Sequence, residues 1–522
     1  MAKQLTYTPL NNIGLNGLNT QSNPASLDIS WLTKADNVVV RESGVISVRK
    51  GLRQLAQAAS VKVGAIGELG SDVVASVGDK IITVDWATST TLSAPVTSTT
   101  FTGATSDWMF VNFNDKLYAV QGGQDPLEYN GTSWTNIPDG AATGYPATLS
   151  ATTFQPSCCM GYYGRLWVGG VTSNKASVFY SDLLQGATWS GGSSGVLDLN
   201  KVWGNDEIVA IAPFYGKLVI FGKKNIALYN NPADPNTATT FGLDEVIRGV
   251  GCVARDTVQA IGDDLVFLSE TGLRSLARTT ELDKVPLSDL SVNVKDTLTR
   301  ETAQASDAKG IYLEEEGVYL LSFVDKNSTY VFDMKHITAN KAPRITTWKF
   351  ESDREPACFA NTTSKGFVVG QKAGSIASYV DYIDKDMTGS STFTEHKYTS
   401  RFISVWLEMG EGVAASLLKK MRAMFNGGKD TSVNINMFKD FGLTAYKTVT
   451  LDLTPTSSGT PSLFGEAEFG VGEYAPVYGL KEYSIPLSGS AKHFKIGMDT
   501  EVNGSLVSLQ DSTLLFKQGK IR

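Results

Sequence analysis

A short unit recurs along the chain, and it limits the possible folds more than any other feature. A glycine or Asp-type tight turn is followed by an alternating apolar strand that ends near a second Gly or Asp. It reads Gly78-Asp79-Lys80-Ile81-Ile82-Thr83-Val84-Asp85, then Asn114-Asp115-Lys116-Leu117-Tyr118-Ala119-Val120, then Tyr163-Gly164-Arg165-Leu166-Trp167-Val168-Gly169, then Tyr215-Gly216-Lys217-Leu218-Val219-Ile220-Phe221-Gly222. Looser copies begin at Gly262-Asp263, Glu316-Gly317 and Lys365-Gly366. Counted from residues 79, 115, 164, 216, 263, 317 and 366, the steps are 36, 49, 52, 47, 54 and 49 residues. Steps of that size suit four-stranded propeller blades.

The turn residues supply the positive φ that a two-residue hairpin needs, and the apolar run after them is a strand buried between blades. Other strands flank the anchors. Upstream are Trp108 to Phe113 and Ile208 to Phe214; downstream are Leu127 to Tyr129, Val178 to Ser181, Ile226 to Tyr229 and Leu273 to Leu276. Trp134, Trp189 and Trp348 close several units and are expected to fill the wedges between adjacent blades. The fold class expected is all-β: a propeller of about seven somewhat irregular blades over 55–395. Residues 1–54 are read as an arm followed by two short strands, Val38-Val39-Val40-Arg41 and Val45-Ile46-Ser47-Val48, with 1–35 ordered only by neighbours. Residues 396–522 are read as a smaller β-rich domain. In it, 413–425 is either a short helix or a strand with Lys419, Lys420 and Arg422 outward, and Val433 to Phe438 alternates like a half-buried strand.

At 522 residues, a formal charge of −7 and a pI near 5.3, the chain is large enough for a sizeable core and too acidic to grip phosphates over its whole surface. It has no run of about 18 apolar residues and no secretion signal at its amino end. It is therefore expected to be made in a cytoplasm, without a membrane span.

Candidate reactive residues do not form a pattern. Cys158, Cys159, Cys252 and Cys358 lack paired metal or redox spacings and are read as buried thiols. His336, His396 and His493 are far apart and outside any HExxH-like motif, so each is read as solvent-facing or hydrogen-bonded. Ser181 to Trp189 is similar to a sialidase Asp-box, but aligned on Gly186, Thr188 and Trp189 the defining carboxylate position holds Leu184 and the Ser position holds Asp182. Glu314-Glu315-Glu316 is read as a solvated hairpin end. GxSxG and GxxxxGK[ST] are absent. The chain is read as no enzyme, with no catalytic, cofactor-binding or metal residues and no cofactor.

Asp36-Asn37-Val38-Val39-Val40, Gly44 and Val45 through Leu52, with Arg49 and Gly51, resemble the amino-terminal signature of the tail nozzle (tail tubular) proteins of short-tailed bacteriophages. Gly249-Val250-Gly251-Cys252, Ile261 to Ser269 and Gly272 to Leu276 resemble a central blade of the same proteins. Pro286 to Ser291 and Thr399-Ser400-Arg401 extend the likeness over most of 36–425.

The resemblance implies a structural virion protein of the tail, a podovirus nozzle through which DNA is ejected. It implies a ring homo-oligomer, by family a hexamer. The partners implied are the tail adaptor on the portal side, tail fibres or spikes, and DNA in transit without stable binding. Six copies at −7 each carry −42, so the conduit wall is expected to be acidic or neutral. The alternative is a carbohydrate- or host-receptor-binding propeller. Such a lectin would repeat its exposed residues from blade to blade, whereas here the units share only turn and core residues.

Overall fold

The structure is a computed structural model. It describes residues 5–57, 61–84, 86, 97–137, 145–146, 149–150, 152–237, 240–276, 289–304, 307–324, 326–351, 354–379, 382, 384–388, 392–409, 415–428, 431–453 and 480–518. Asp85, residues 286–288 and residues 1–4 and 413–414, which belong to the motifs and segments read above, lie outside them.

The described chain is all-β, with a propeller as its larger part. Four consecutive sheets each hold four antiparallel strands, spanning residues 63–100, 109–136, 158–198 and 208–248. A three-stranded unit follows, Gln259–Ile261, Asp264–Ser269 and Gly272–Ser275. The fifth blade is Ala308–Leu313, Val318–Phe323, Ser328–Ile337 and Pro343–Trp348. The sixth is Pro356–Thr362, Gly366–Gln371 and Ser375–Tyr379, completed by Leu52–Gln57 from before the first blade. The innermost strands touch in order around the ring, and the sixth blade packs against the first. About seven somewhat irregular blades were expected; the result is six four-stranded blades and one narrower, three-stranded unit.

The repeat marks hairpins for the expected reason. Asn114-Asp115, Tyr163-Gly164 and Tyr215-Gly216 each close a two-residue turn with both φ values positive, between 46° and 76°. That is the requirement of a type I′ turn, whose twist matches the flanking strands. The short first step of 36 residues also has a structural cause. Gly78-Asp79 joins the second and third strands of its blade, while the six later turns join the first and second. The equivalent turn in the first blade is Gly70-Ser71, and from Ser71 to Asp115 the step is 44 (115 − 71).

The wedges between neighbouring blades hold apolar clusters, and the one between the three-stranded unit and the fifth blade runs on into the core of the carboxyl-terminal sheets. Trp134 packs between the first and second blades, Trp189 between the second and third, and Trp348 between the fifth and sixth. Burying edge-protected strands in this way is what the alternating apolar runs require.

The amino-terminal segment is not an arm. Thr6–Pro9 pairs with Val507–Gln518, and Gly17–Leu18 runs parallel to both Pro343–Trp348 and Trp31–Asp36. Leu10, Ile13, Leu18, Trp31 and Leu32 in it are buried, while Leu5 and Tyr7 at its start are exposed. A polar composition therefore hides a segment held by strand pairing, in which backbone hydrogen bonds replace a broad apolar face. The two strands expected near 38–48 are present as the hairpin Val38–Val40 and Ile46–Val48.

Trp31–Asp36 pairs onward with Tyr398–Ser404, so one eleven-stranded sheet runs from the fifth blade into the carboxyl-terminal domain. There it faces a seven-stranded sheet built on Ser416–Gly427, which is a strand with Lys419, Lys420 and Arg422 exposed. Phe402, Ile435 and Met498 from one sheet and Met421, Phe425 and Leu514 from the other share one core. No helix among the described residues is long and apolar enough to cross a membrane.

Candidate functional site

Propellers bring the starts of their innermost strands together at the axis, and here that position is filled by charge. Asp107 precedes the inner strand of the second blade, Ser157 that of the third, and Arg255 and Asp256 that of the three-stranded unit. Lys309 lies on the inner strand of the fifth. Side chains from units so far apart around the ring can meet only on its axis.

The Arg255 guanidinium donates from Nη2 to the Asp107 carbonyl (2.8 Å) and to Asp107 Oδ1 (2.9 Å), and from Nη1 to the Ser157 carbonyl. Lys309 Nζ donates to Asp107 Oδ1 at 2.8 Å and to Asp256 Oδ2 at 2.5 Å, and stands 3.4 Å from Asp307. Lys62 reaches Asp307 at 3.9 Å. Three carboxylates thus meet three cations, and the cluster is formally neutral.

Burial opposes the charge on Asp256, but Lys309 and Arg255 outweigh it and hold the carboxyl down to about 2. Burial dominates at Asp307 and pushes its carboxyl up, with Lys309 opposing. The Lys309 ammonium is likewise opposed by burial but is driven well up by Asp256, Asp107 and Asp307.

The carboxylate oxygens of Asp107, Asp256 and Asp307 lie within 4.8 Å of one another, close enough to hold a metal ion. Lys309 Nζ already bridges them, so the cation these residues hold is the chain's own. Arg255 and Asp256 line both a recess of about 450 Å³ and another of about 220 Å³. No sequence motif announced this cluster. The only hint was a charged residue just ahead of several inner strands.

The signature around residues 36–52 forms a second polar centre, where propeller and sandwich meet. Asn37 is buried with φ 56°, a left-handed conformation that Asn tolerates better than most residues. Its side-chain nitrogen donates to the carbonyls of Lys349 (3.0 Å) and Thr399 (2.8 Å). Its oxygen accepts from Arg49 Nε and from the Lys349 amide, both at 2.9 Å. The Arg49 guanidinium, with a fully buried side chain, lies 4.2 Å from the Tyr398 ring centre, 4.9 Å from Phe350 and 5.7 Å from Trp348. It also stands 3.8 Å from Asp384. Asn37 and Arg49 therefore tie the amino-terminal hairpin, two blades and the first sandwich strand into one joint.

The remaining candidates are dispersed. His336, His396 and His493 occupy three separate strands and are half-buried. Burial, reinforced by Arg344, lowers the His336 pKa. Glu314 and Glu315 are exposed at a hairpin end, and Glu316 faces Lys50 at 3.6 Å. Asp182 serves the turn: its Oδ1 accepts from the Leu183 amide (2.8 Å), the Ser193 amide (3.0 Å) and the Ser193 hydroxyl (2.6 Å).

All four cysteines are free and buried. Burial pushes the thiols of Cys158, Cys252 and Cys358 up to about 12. The thiolate is the reactive form, so the native protein should be inert to a disulfide reagent at mildly alkaline pH and titrate four thiols once unfolded. Rapid labelling of the native chain would contradict this packing.

No family model matches the sequence, and no curated protein matches it. Among solved structures, the WD40 domain of Neurospora crassa Pan2 is similar with 8% identity and a TM-score of 0.38, covering 66% of this chain and 98% of that one. Kluyveromyces lactis Hsv2 has 12% identity and a TM-score of 0.34, covering 55% and 84%. The computationally designed Ika8 protein has 11% identity and a TM-score of 0.37, covering 63% and 100%. At these scores the propeller assignment rests on this chain's own strand pairing and ring closure.

Proposed function

We propose that this chain is a structural, non-catalytic assembly protein, a ring-forming component of the tail nozzle of a short-tailed bacteriophage. The observation that carries the non-catalytic part is the internal pairing of charges at the axis. Where a propeller has room for a ligand, Arg255 and Lys309 satisfy the three carboxylates from within the chain. That suits a rigid scaffold better than a binding pocket. The tail assignment rests on the resemblance of the 36–52 and 249–276 segments. In this reading any DNA path lies between copies in a ring, since Arg255 bridges the axis of the single propeller.

A patch at the hairpin tips of the third and fourth blades supports assembly. Tyr163, Leu184 and Tyr215 are exposed and have φ of 46°, 57° and 47°. Bulky residues seldom adopt that conformation, and contiguous exposed apolar groups mark interaction surfaces. Tyr163 Oη stands 3.7 Å from where a side chain at Gly216 would begin, and Leu183 stands 3.0 Å from the same point at Gly164, so the tips adjoin.

Sedimentation of the full chain at micromolar concentration, with electron microscopy of the particles that contain it, is the test. The expected result is a closed ring in solution or in a tail. Tyr163→Asp with Tyr215→Asp should shift the assembly toward monomer. A chain that stays monomeric and is absent from tails would overturn the reading.

A further inference from the structure

The most exposed large apolar side chain among the described residues is Leu443, at 96% exposure, on the loop between Ser432–Lys439 and Lys447–Asp452. Phe441, two residues earlier, is 51% exposed. Together they form an apolar tip at the end of the carboxyl-terminal sandwich.

The loop that carries them is built. The Asp440 amide donates to the His493 carbonyl (3.0 Å), Gly442 to Lys439 (2.9 Å) and Tyr446 to Met437 (2.9 Å). Asp440 Oδ1 accepts from the amides of Lys492 (3.0 Å) and His493 (3.3 Å). The Phe441 ring sits between Trp406, 5.1 Å away, and His493, 4.8 Å away. Asp440 and Phe441 have φ of 44° and 63°, a conformation that costs free energy in non-glycine residues. Packing therefore holds the backbone in an unfavourable shape that leaves Leu443 in water.

The charges around the tip are unlike those of the chain as a whole. Lys439 and Lys492 are exposed beside it, Lys495 lies 5.4 Å from the Trp406 ring centre, and Lys447 begins the strand after the loop. Among the described residues, the acidic groups at this end are Asp440, whose Oδ1 is occupied by amides, and Glu408 on the neighbouring strand. Among the described residues, four lysines against two carboxylates make a local excess of positive charge on a protein of net −7.

An apolar tip, a half-buried Trp and a cluster of lysines match the layers of a bilayer surface: acyl boundary, interface and anionic headgroups. We propose that the 440–446 loop is a shallow membrane-contact element that inserts Leu443 and Phe441 into a lipid surface rich in anionic headgroups, with Lys439, Lys492 and Lys495 at the phosphate level.

Flotation of the full chain with phosphatidylcholine vesicles, with and without about one third phosphatidylglycerol, tests this. Expected is binding to the anionic vesicles at least about tenfold above the neutral ones, an about tenfold loss in Leu443→Asp, and loss of the anionic preference in Lys439→Glu with Lys492→Glu. Leu443→Trp should give blue-shifted emission that brominated lipid quenches. Failure of the wild type to float, unchanged binding of Leu443→Asp, or Trp emission indifferent to vesicles would overturn the proposal, as would a protein partner that covers Leu443 while vesicles do not bind. Ring formation and tail incorporation are read separately, so the proposed function stands or falls on its own experiment.

Discussion

Lys309→Ala is expected to lower the stability of the propeller by about 3–5 kcal/mol, measured as a drop in the urea midpoint at constant slope. Lys309 is 4% exposed, and its ammonium is the cation shared by Asp107, Asp256 and Asp307. Truncating it leaves three carboxylates facing one another, with Arg255 and Lys62 as the remaining counter-charges. That is the costly half of a buried ion network, in which removing one partner strands the others. Asp256→Asn in the same background should recover part of the loss, giving a coupling free energy of at least about 1 kcal/mol.

The pH dependence has a definite sign. The Asp256 carboxyl is held down to about 2 in the folded chain, so its contribution is present above the unfolded value of about 3.9 and is lost as pH falls from there toward 2. Wild type should therefore weaken over that window, and Lys309→Ala should weaken less. A variant as stable as wild type at neutral pH would mean that the network contributes no net stability.

Arg49→Ala should have an effect of similar size, about 3–5 kcal/mol, but at the joint rather than the axis. The guanidinium supplies a hydrogen bond to Asn37 and faces Asp384 and the rings of Tyr398, Phe350 and Trp348. Without it Asn37 loses one of the two donors to its oxygen, and a volume between three aromatic rings is left empty. Arg49→Lys keeps the charge but loses the planar fork and the stacking, so it should recover only part of the stability. Because this joint links the two domains, the alanine variant should unfold in two resolved steps where wild type unfolds in one. A single, unshifted transition would show that the shared eleven-stranded sheet couples the domains without Arg49.

One part of the resemblance to nozzle proteins was carried by residues that form this joint. The Val-rich hairpin could be read in sequence as two short strands, and Asn37, Gly44 and Arg49 only as part of the resemblance. What they bind could not, since their partners lie about 300 residues away or more, at Lys349, Tyr398 and Asp384. The axial cluster was less legible still. Asp107, Arg255 and Lys309 are unremarkable charged residues in sequence, and only ring closure brings them within hydrogen-bond reach.

The propeller itself followed from local chemistry. Two-residue turns with positive φ and period-2 apolar runs are properties of a few adjacent residues, and their recurrence at 36 to 54 residues pointed to blades. The narrower three-stranded unit, the closing strand Leu52–Gln57 and the burial of the segment expected to be an arm were decided by tertiary structure. In each case the deciding contact joins residues far apart in the chain. A polar, weakly patterned strand such as Thr6–Pro9 owes its place to a neighbour's unpaired backbone edge, and its own side chains carry no signal of that pairing.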